Sequence, residues 1–274
     1  MNLNQKRFNT FIQGRINARN EARQQLVLRN NLEKRFYTRL NTLFRKFVRV
    51  QLHLYKEYGI YEPDIAVQSL NEDLVPLMIS HYRRVFRVIY KHNEDRYYKD
   101  KKAVNEIDVF GRSHDFEALI ENYFKTKQLI LLGISMRMAT KIKTFIETAR
   151  ADGLTLQQIA KQTSEKFLPL SRSRAALIAR TETHNAASYA NHAYHKTVEV
   201  ELGVKMKKKW VATNDARTRS THSSANGQEV DMNENFIVGG TQMEYAGDSK
   251  GGARNVINCR CITIYSDEQD VVLE

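Results

Sequence analysis

A chain of 274 residues with 43 Lys and Arg against 31 Asp and Glu carries a formal charge of +12. It is long enough for one large or two ordinary domains with a sizeable core. No run of about 18 apolar residues occurs, so a membrane span is not expected, and the opening MNLNQKRFNT lacks the apolar segment of a secretory signal. Two cysteines exclude a disulfide scaffold, and assembly in a reducing cytosol would leave both as thiols.

The charge is unevenly spread. Residues 1–100 hold 19 basic and 10 acidic side chains, residues 101–197 hold 15 and 9, and residues 198–274 hold 9 and 12. The basic character therefore belongs to the first two thirds, whose surface would attract a polyanion through counterion release and steering. Scattered charges on a solvated helix surface are the alternative.

Residues 1–31 are rich in Asn, Gln and Arg, with Arg15, Arg19 and Arg23 four apart, and are expected to form an arm that orders only against a partner. From Leu32 the apolar positions Leu32, Phe36, Leu40, Leu43, Phe47, Val50 and Leu54 approach a heptad seam and predict a long helix packed on another. Arg35, Arg39, Lys46, Arg49 and Lys56 fall together on a neighbouring face. Gly59 and Pro63 end this helix. A second is expected over 71–96, with Pro76 near its start, followed by a charged connection over 97–115. Two further helices are expected over 116–132 and 135–149, the latter burying Met138, Ile142, Phe145 and Ala149. Asp152 and Gly153 stop it, and Thr155 caps the next.

Ser171 is read as the cap of the helix SRSRAALIARTETHNAASYANHAYHK, whose row Ala175, Ala179, Ala186, Ala190 and Ala193 permits close helix approach. Beyond Gly203 the pattern changes. The segment 205–213 and the segment 259–265 read as strands, with loop signals between them at Asn226-Gly227, Gly239-Gly240 and Gly251-Gly252. The fold class expected is α+β: a helical amino-terminal bundle and a small antiparallel module packed on the Ser171 helix. The boundaries drawn are a basic helical region over 1–112, a helical connection over 113–152 and the module over 153–274.

The module concentrates the unusual residues. It holds Arg180, Glu182 and His184 in RTETH, the sole Trp210, then Asp215, Arg217, Thr218, Arg219 and His222, then Gly227, and finally Asn258, Cys259, Arg260 and Cys261. In this order, over about residues 150–266, they resemble the phage Mu F-like minor head protein family. The resemblance implies a non-enzymatic head-morphogenesis protein of a tailed phage, inside the capsid near the portal vertex and in the host cytoplasm during assembly. Its implied partners are the portal protein and packaged double-stranded DNA, with the major capsid or scaffold protein as further candidates.

Three chemistries are weighed on these residues. Cys259 and Cys261, two apart on a strand, would point to one face, and His222 could add a third zinc ligand. Relatives in which a Cys pair follows the Asp-x-Arg-Thr element resemble zinc modules, but here Arg219 and His222 stand there, so no cofactor is expected and the cysteines read as small buried hydrophobes. A nuclease or toxin-like transferase using His184, His192, His195, His222, Glu182 and Asp215 is the enzymatic alternative, although no nucleophile elbow, phosphate loop or metalloprotease spacing is present. The chain end at Glu274, shortly after Asn-Cys-Arg-Cys, is expected to leave no room for an added effector. Arg180 and Glu182 are instead expected to be buried and paired, tying the long helix to the sheet, with Asp215 as a turn former. For DNA, the run Lys205, Lys207, Lys208 and Lys209 reads as a guarded strand edge. The stripe Arg35, Arg39, Lys46, Arg49 and Lys56 is the better contact for DNA or portal.

Overall fold

The computed structural model describes residues 18–97 and 114–267. Residues 1–17, with Arg15, and most of the expected connection at 98–113 lie outside the described residues. Four long helices come first: α1 (Ala18–Tyr58), α2 (Pro63–Tyr97), α3 (His114–Ala151) and α4 (Leu156–Leu202). Then follow β1 (Met206–Val211), α5 (Ser220–Ser224), β2 (Glu229–Asp231), β3 (Phe236–Val238), β4 (Thr241–Met243), α6 (Gly252–Val256) and β5 (Ile262–Asp267). This is the expected α+β class.

The stops read from sequence are partly right. Gly59, at φ +68°, closes α1 by donating its N–H to the Tyr55 carbonyl, and Pro63 opens α2, where its missing N–H costs nothing. Thr155 and Gln158 form a reciprocal capping box at the start of α4: Gln158 N–H donates to Thr155 Oγ1 (3.3 Å) and Thr155 N–H to Gln158 Oε1 (2.8 Å). Other stops are overridden. Pro76 lies well inside α2 rather than near its start, because α2 begins at Pro63. Gly133 does not divide α3, since buried Leu131, Ile134 and Ile142 hold both halves in one core. Ser171 is no cap. It sits in mid-α4 two residues after Pro169, its hydroxyl donating back to the Phe167 carbonyl (2.8 Å), as Thr163 does to Ile159 (2.7 Å).

The described residues fall into two compact units, one drawn from 18–32, 83–97, 114–118 and 181–267, the other from 33–82 and 119–180. The second is a four-helix core. On α1 it buries Phe36, Leu40, Phe44, Val48 and Tyr55, and Phe36 stacks on His81 of α2 at 3.7 Å. The expected heptad row therefore drifts. Val50 and Leu54 are exposed (40% and 38%) and Phe44 and Val48 take their places, because the buried row advances by four residues from Leu32 through Val48 and so outruns a 3.5-residue seam.

In the first unit, the sheet has the order β2-β1-β5, all antiparallel, with Trp210 opposite Thr263 and Lys208 between Val230 and Tyr265. β1 is thus the central strand, which corrects the expected edge. Its alternation buries Met206, Lys208 and Trp210. The Lys208 ammonium lies over the Phe236 ring at 5.5 Å, and burial pushes its pKa down to about 8. β3 and β4 form a separate hairpin. Trp210 centres a core with Phe236, Val238, Met243, Val256, Cys259 and Cys261.

Candidate functional site

Two linked constellations organise the motif residues. The first is a loop clamp. Asp215 Oδ1 accepts from the Arg217 N–H (3.0 Å) and the Thr218 hydroxyl (3.2 Å), and Thr218 N–H returns to the Asp215 carbonyl (2.9 Å), a self-contained Asx turn. Arg260 then grips the same carboxylate with two nitrogens at 2.5 and 2.7 Å, and this hydrogen bonding holds Asp215 well below the usual carboxylate range. Arg219 donates to the Ile257 carbonyl at 2.5 Å, and Gly227 N–H donates to the Trp210 carbonyl at 2.8 Å. Asn258, in the left-handed region at φ +58°, gives its N–H to Thr181 Oγ1 (3.2 Å), which ties the Asn-Cys-Arg-Cys turn to α4.

The second constellation is buried. His222, on α5, directs Nδ1 at Cys261 Sγ (3.3 Å) and Cys259 Sγ (3.7 Å), with the Trp210 ring edge-on to the imidazole at 5.7 Å. The donor atoms of His222, Cys259 and Cys261 lie within 4.8 Å of one another. Both cysteines precede β5 rather than lying on it, and both sulfurs lie on the side of His222. Hydrogen bonding with Cys261 holds the Cys259 thiol well below its ordinary pKa, and the same contact together with burial pushes the Cys261 thiol up.

His184 of α4 joins them. Its Nδ1 receives a hydrogen bond from Arg29 Nη1 (2.8 Å), while Nε2 lies against the Cys259 sulfur without closing a hydrogen bond of ordinary geometry. Arg29 continues outward: Nη2 donates to Gln25 Oε1 (2.8 Å), and Gln25 Nε2 donates to Glu21 Oε1 (2.7 Å). All three are buried, and burial lowers the Arg29 pKa only to about 10, so the guanidinium stays charged at neutral pH. These residues belong to the segment expected to be an arm. From residue 18 it is helix, and Arg29, missed as a site residue, is held inside. The signal lay in the spacing: Glu21, Gln25 and Arg29 are four apart and join the Leu32, Phe36, Leu40 row through one three-residue step, so they share its helix face.

The remaining candidates separate. Glu182 is buried as expected, but Arg180 is half-exposed and meets Glu33 of α1 (3.3 Å). The expected burial of Arg180 is thus corrected: the two residues lie 200° apart around the helix, and Glu182 alone is buried. His192 contacts the Tyr265 hydroxyl (3.2 Å) and Glu244 (3.5 Å), and His195 donates Nδ1–H to the Asn191 carbonyl (2.7 Å) while stacking on Tyr265. On α1, the stripe Arg35, Arg39, Lys46 and Arg49 with Lys56 is exposed or partly so, and Lys46 meets Asp73 at 3.0 Å.

Comparison with known proteins places this geometry. Residues 140–264 match the family described as phage Mu protein F like protein. The chain is 35% identical over 127 residues to the NAD(+)–arginine ADP-ribosyltransferase EFV of Enterococcus faecalis, covering 46% of this chain and 26% of that protein. It is 28% identical over 265 residues to the minor head protein GP7 of Bacillus phage SPP1, covering 85% of this chain and 80% of that protein. It therefore spans about a quarter of the first relative and four fifths of the second. No solved structure gives a significant match. The segment that matches the phage Mu F-like family holds the loop clamp, the buried His and Cys cluster and Trp210, and together with the similarity to a minor head protein along 85% of the chain it supports a structural role in phage head morphogenesis.

Proposed function

We propose that this protein acts as a non-enzymatic minor head component that attaches to the portal and contacts packaged double-stranded DNA through the basic face of α1, serving genome packaging or delivery. The observation that carries the reading is similarity to a minor head protein along 85% of the chain, beyond the motif segment and into the basic helices. The exposed row Arg35, Arg39, Lys46, Arg49 and Lys56 supports a polyanionic or acidic partner, since aligned exposed cations bind phosphate or carboxylate with little desolvation cost. Against an enzyme stands the engagement of three of the six candidate groups: Asp215 is held by Arg260, His184 by Arg29, and His195 by a backbone carbonyl. Among the described residues no helix is long and apolar enough to cross a membrane. The test is binding of purified portal protein and of duplex DNA to wild type and to an Arg39→Gln, Lys46→Gln, Arg49→Gln variant. Loss of portal binding with unchanged DNA binding assigns the face to the vertex, and loss of neither rejects it.

A transferase or nuclease is the second reading, favoured by the 127-residue similarity to an ADP-ribosyltransferase. That match covers 26% of the relative, so it is as well explained by a shared head module. Assays for NAD consumption and for DNA cleavage, with and without divalent metal, decide it. Turnover abolished by His222→Ala would establish the enzyme.

A further inference from the structure

We propose that His222 Nδ1, Cys259 Sγ and Cys261 Sγ bind one Zn2+ ion, and that His184 acts beside them as a hydrogen-bond donor to the Cys259 sulfur rather than as a ligand. Zinc bonds of about 2.05 Å to nitrogen and 2.3 Å to sulfur, at tetrahedral angles, place nitrogen and sulfur ligands about 3.5 Å apart. The two separations here are 3.3 and 3.7 Å. All three side chains are at most 2% exposed, so the ion would sit away from competing solvent.

The objection from sequence is Arg219, standing where a ligand would be needed. Its guanidinium turns away to the Ile257 carbonyl and adds no charge among the sulfurs. Zinc binds both cysteines as thiolates, so binding displaces the thiol protons to solvent and leaves two thiolates against one dication.

His184 is excluded as a fourth ligand by Arg29. A guanidinium only donates, so His184 Nδ1 must accept, and the proton of the neutral imidazole resides on Nε2. That N–H faces the Cys259 sulfur and can support its negative charge. Three protein ligands leave one coordination position for a small ligand.

Metal analysis of the full chain, purified without added metal or chelator, is expected to find about one zinc per chain. His222→Ala, Cys259→Ser and Cys261→Ser should each lose it. Because these variants can fail to fold, the wild-type protein is also stripped by chelation and titrated with Co2+, where a thiolate-to-cobalt charge-transfer band in the near ultraviolet is expected. His184→Gln should keep the stoichiometry while weakening affinity by about 10- to 100-fold, the usual loss when an outer hydrogen bond to a ligand is removed. Substoichiometric zinc together with a cobalt spectrum lacking the thiolate band overturns the proposal. So does a disulfide linking Cys259 to Cys261 in the protein as purified.

Discussion

Arg29 Nη1 donates to His184 Nδ1 at 2.8 Å although 155 residues separate them in the chain. One buried cation thereby fixes the tautomer of a buried imidazole, which in turn faces the Cys259 sulfur. The amino-terminal helix and the motif segment are bound by a directional contact as well as by apolar packing.

Arg29→Ala should therefore be costly. It leaves Gln25 Oε1 and His184 Nδ1 without their buried donor, and breaking a buried charged network by removing one partner costs about 3 to 5 kcal/mol. Equilibrium denaturation measures this. Arg29→Lys should recover only part, because one ammonium cannot reproduce the fork that reaches Gln25 Oε1 and His184 Nδ1 together.

Gly247→Ala should perturb the same place from the opposite side. Gly247 has φ +91°, and an added Cβ would stand 2.9 Å from His184 Cδ2 and 2.8 Å from Asn185 Oδ1. Overpacking and an unfavourable backbone together should cost about 1 to 3 kcal/mol, read as a lowered melting temperature. An unchanged melting temperature would show that His184 is free to move.

The Asp215 clamp should resist acid. Its folded pKa lies below the unfolded value of about 3.9, so its contribution is complete above that pH and is lost only as the pH falls through the lower folded value. Carboxyl chemical shifts followed by NMR should show Asp215 titrating below the other aspartates. In Arg260→Gln it should return toward the ordinary range, and the loop 214–219 should become easier to cleave with protease.

The basic face of α1 makes a salt-dependent prediction. Every duplex phosphate that a substitution leaves without its cation reduces the slope of log affinity against log salt by about 0.9. Removing Arg39, Lys46 and Arg49 should flatten it by about 2.7 if all three reach phosphate, and by about 1.8 if Asp73 keeps Lys46. A slope unchanged within error removes this face from DNA binding.

The sequence was legible where one local rule decided the outcome. Thr155 and Gln158 cap α4, Gly59 ends α1, and the alternation before Trp210 is a strand, each set by a few neighbouring residues. It was misleading where a local preference met a large core. A glycine in mid-helix costs roughly 1 kcal/mol and a proline about 3, sums that buried neighbours such as Ile134 and Phe167 offset, so Gly133 and Pro169 did not break their helices. The motif residues of the site were visible by type, but their geometry was not. Nothing adjacent to Arg219 announces that it turns to Ile257, and Arg29 stood in a segment whose Asn, Gln and Arg content reads as solvated.

The buried cluster draws on positions 29, 184, 222, 259 and 261, which imposes an order on biogenesis. During synthesis, α1 and α4 leave the ribosome long before the two sulfurs, and the imidazole and guanidinium that meet them must wait in an incomplete pocket. Contacts of such long sequence separation form late and slowly. A nascent chain stalled before residue 259 would lack the two sulfurs of the cluster, so the buried network closes only once translation of the motif segment is complete.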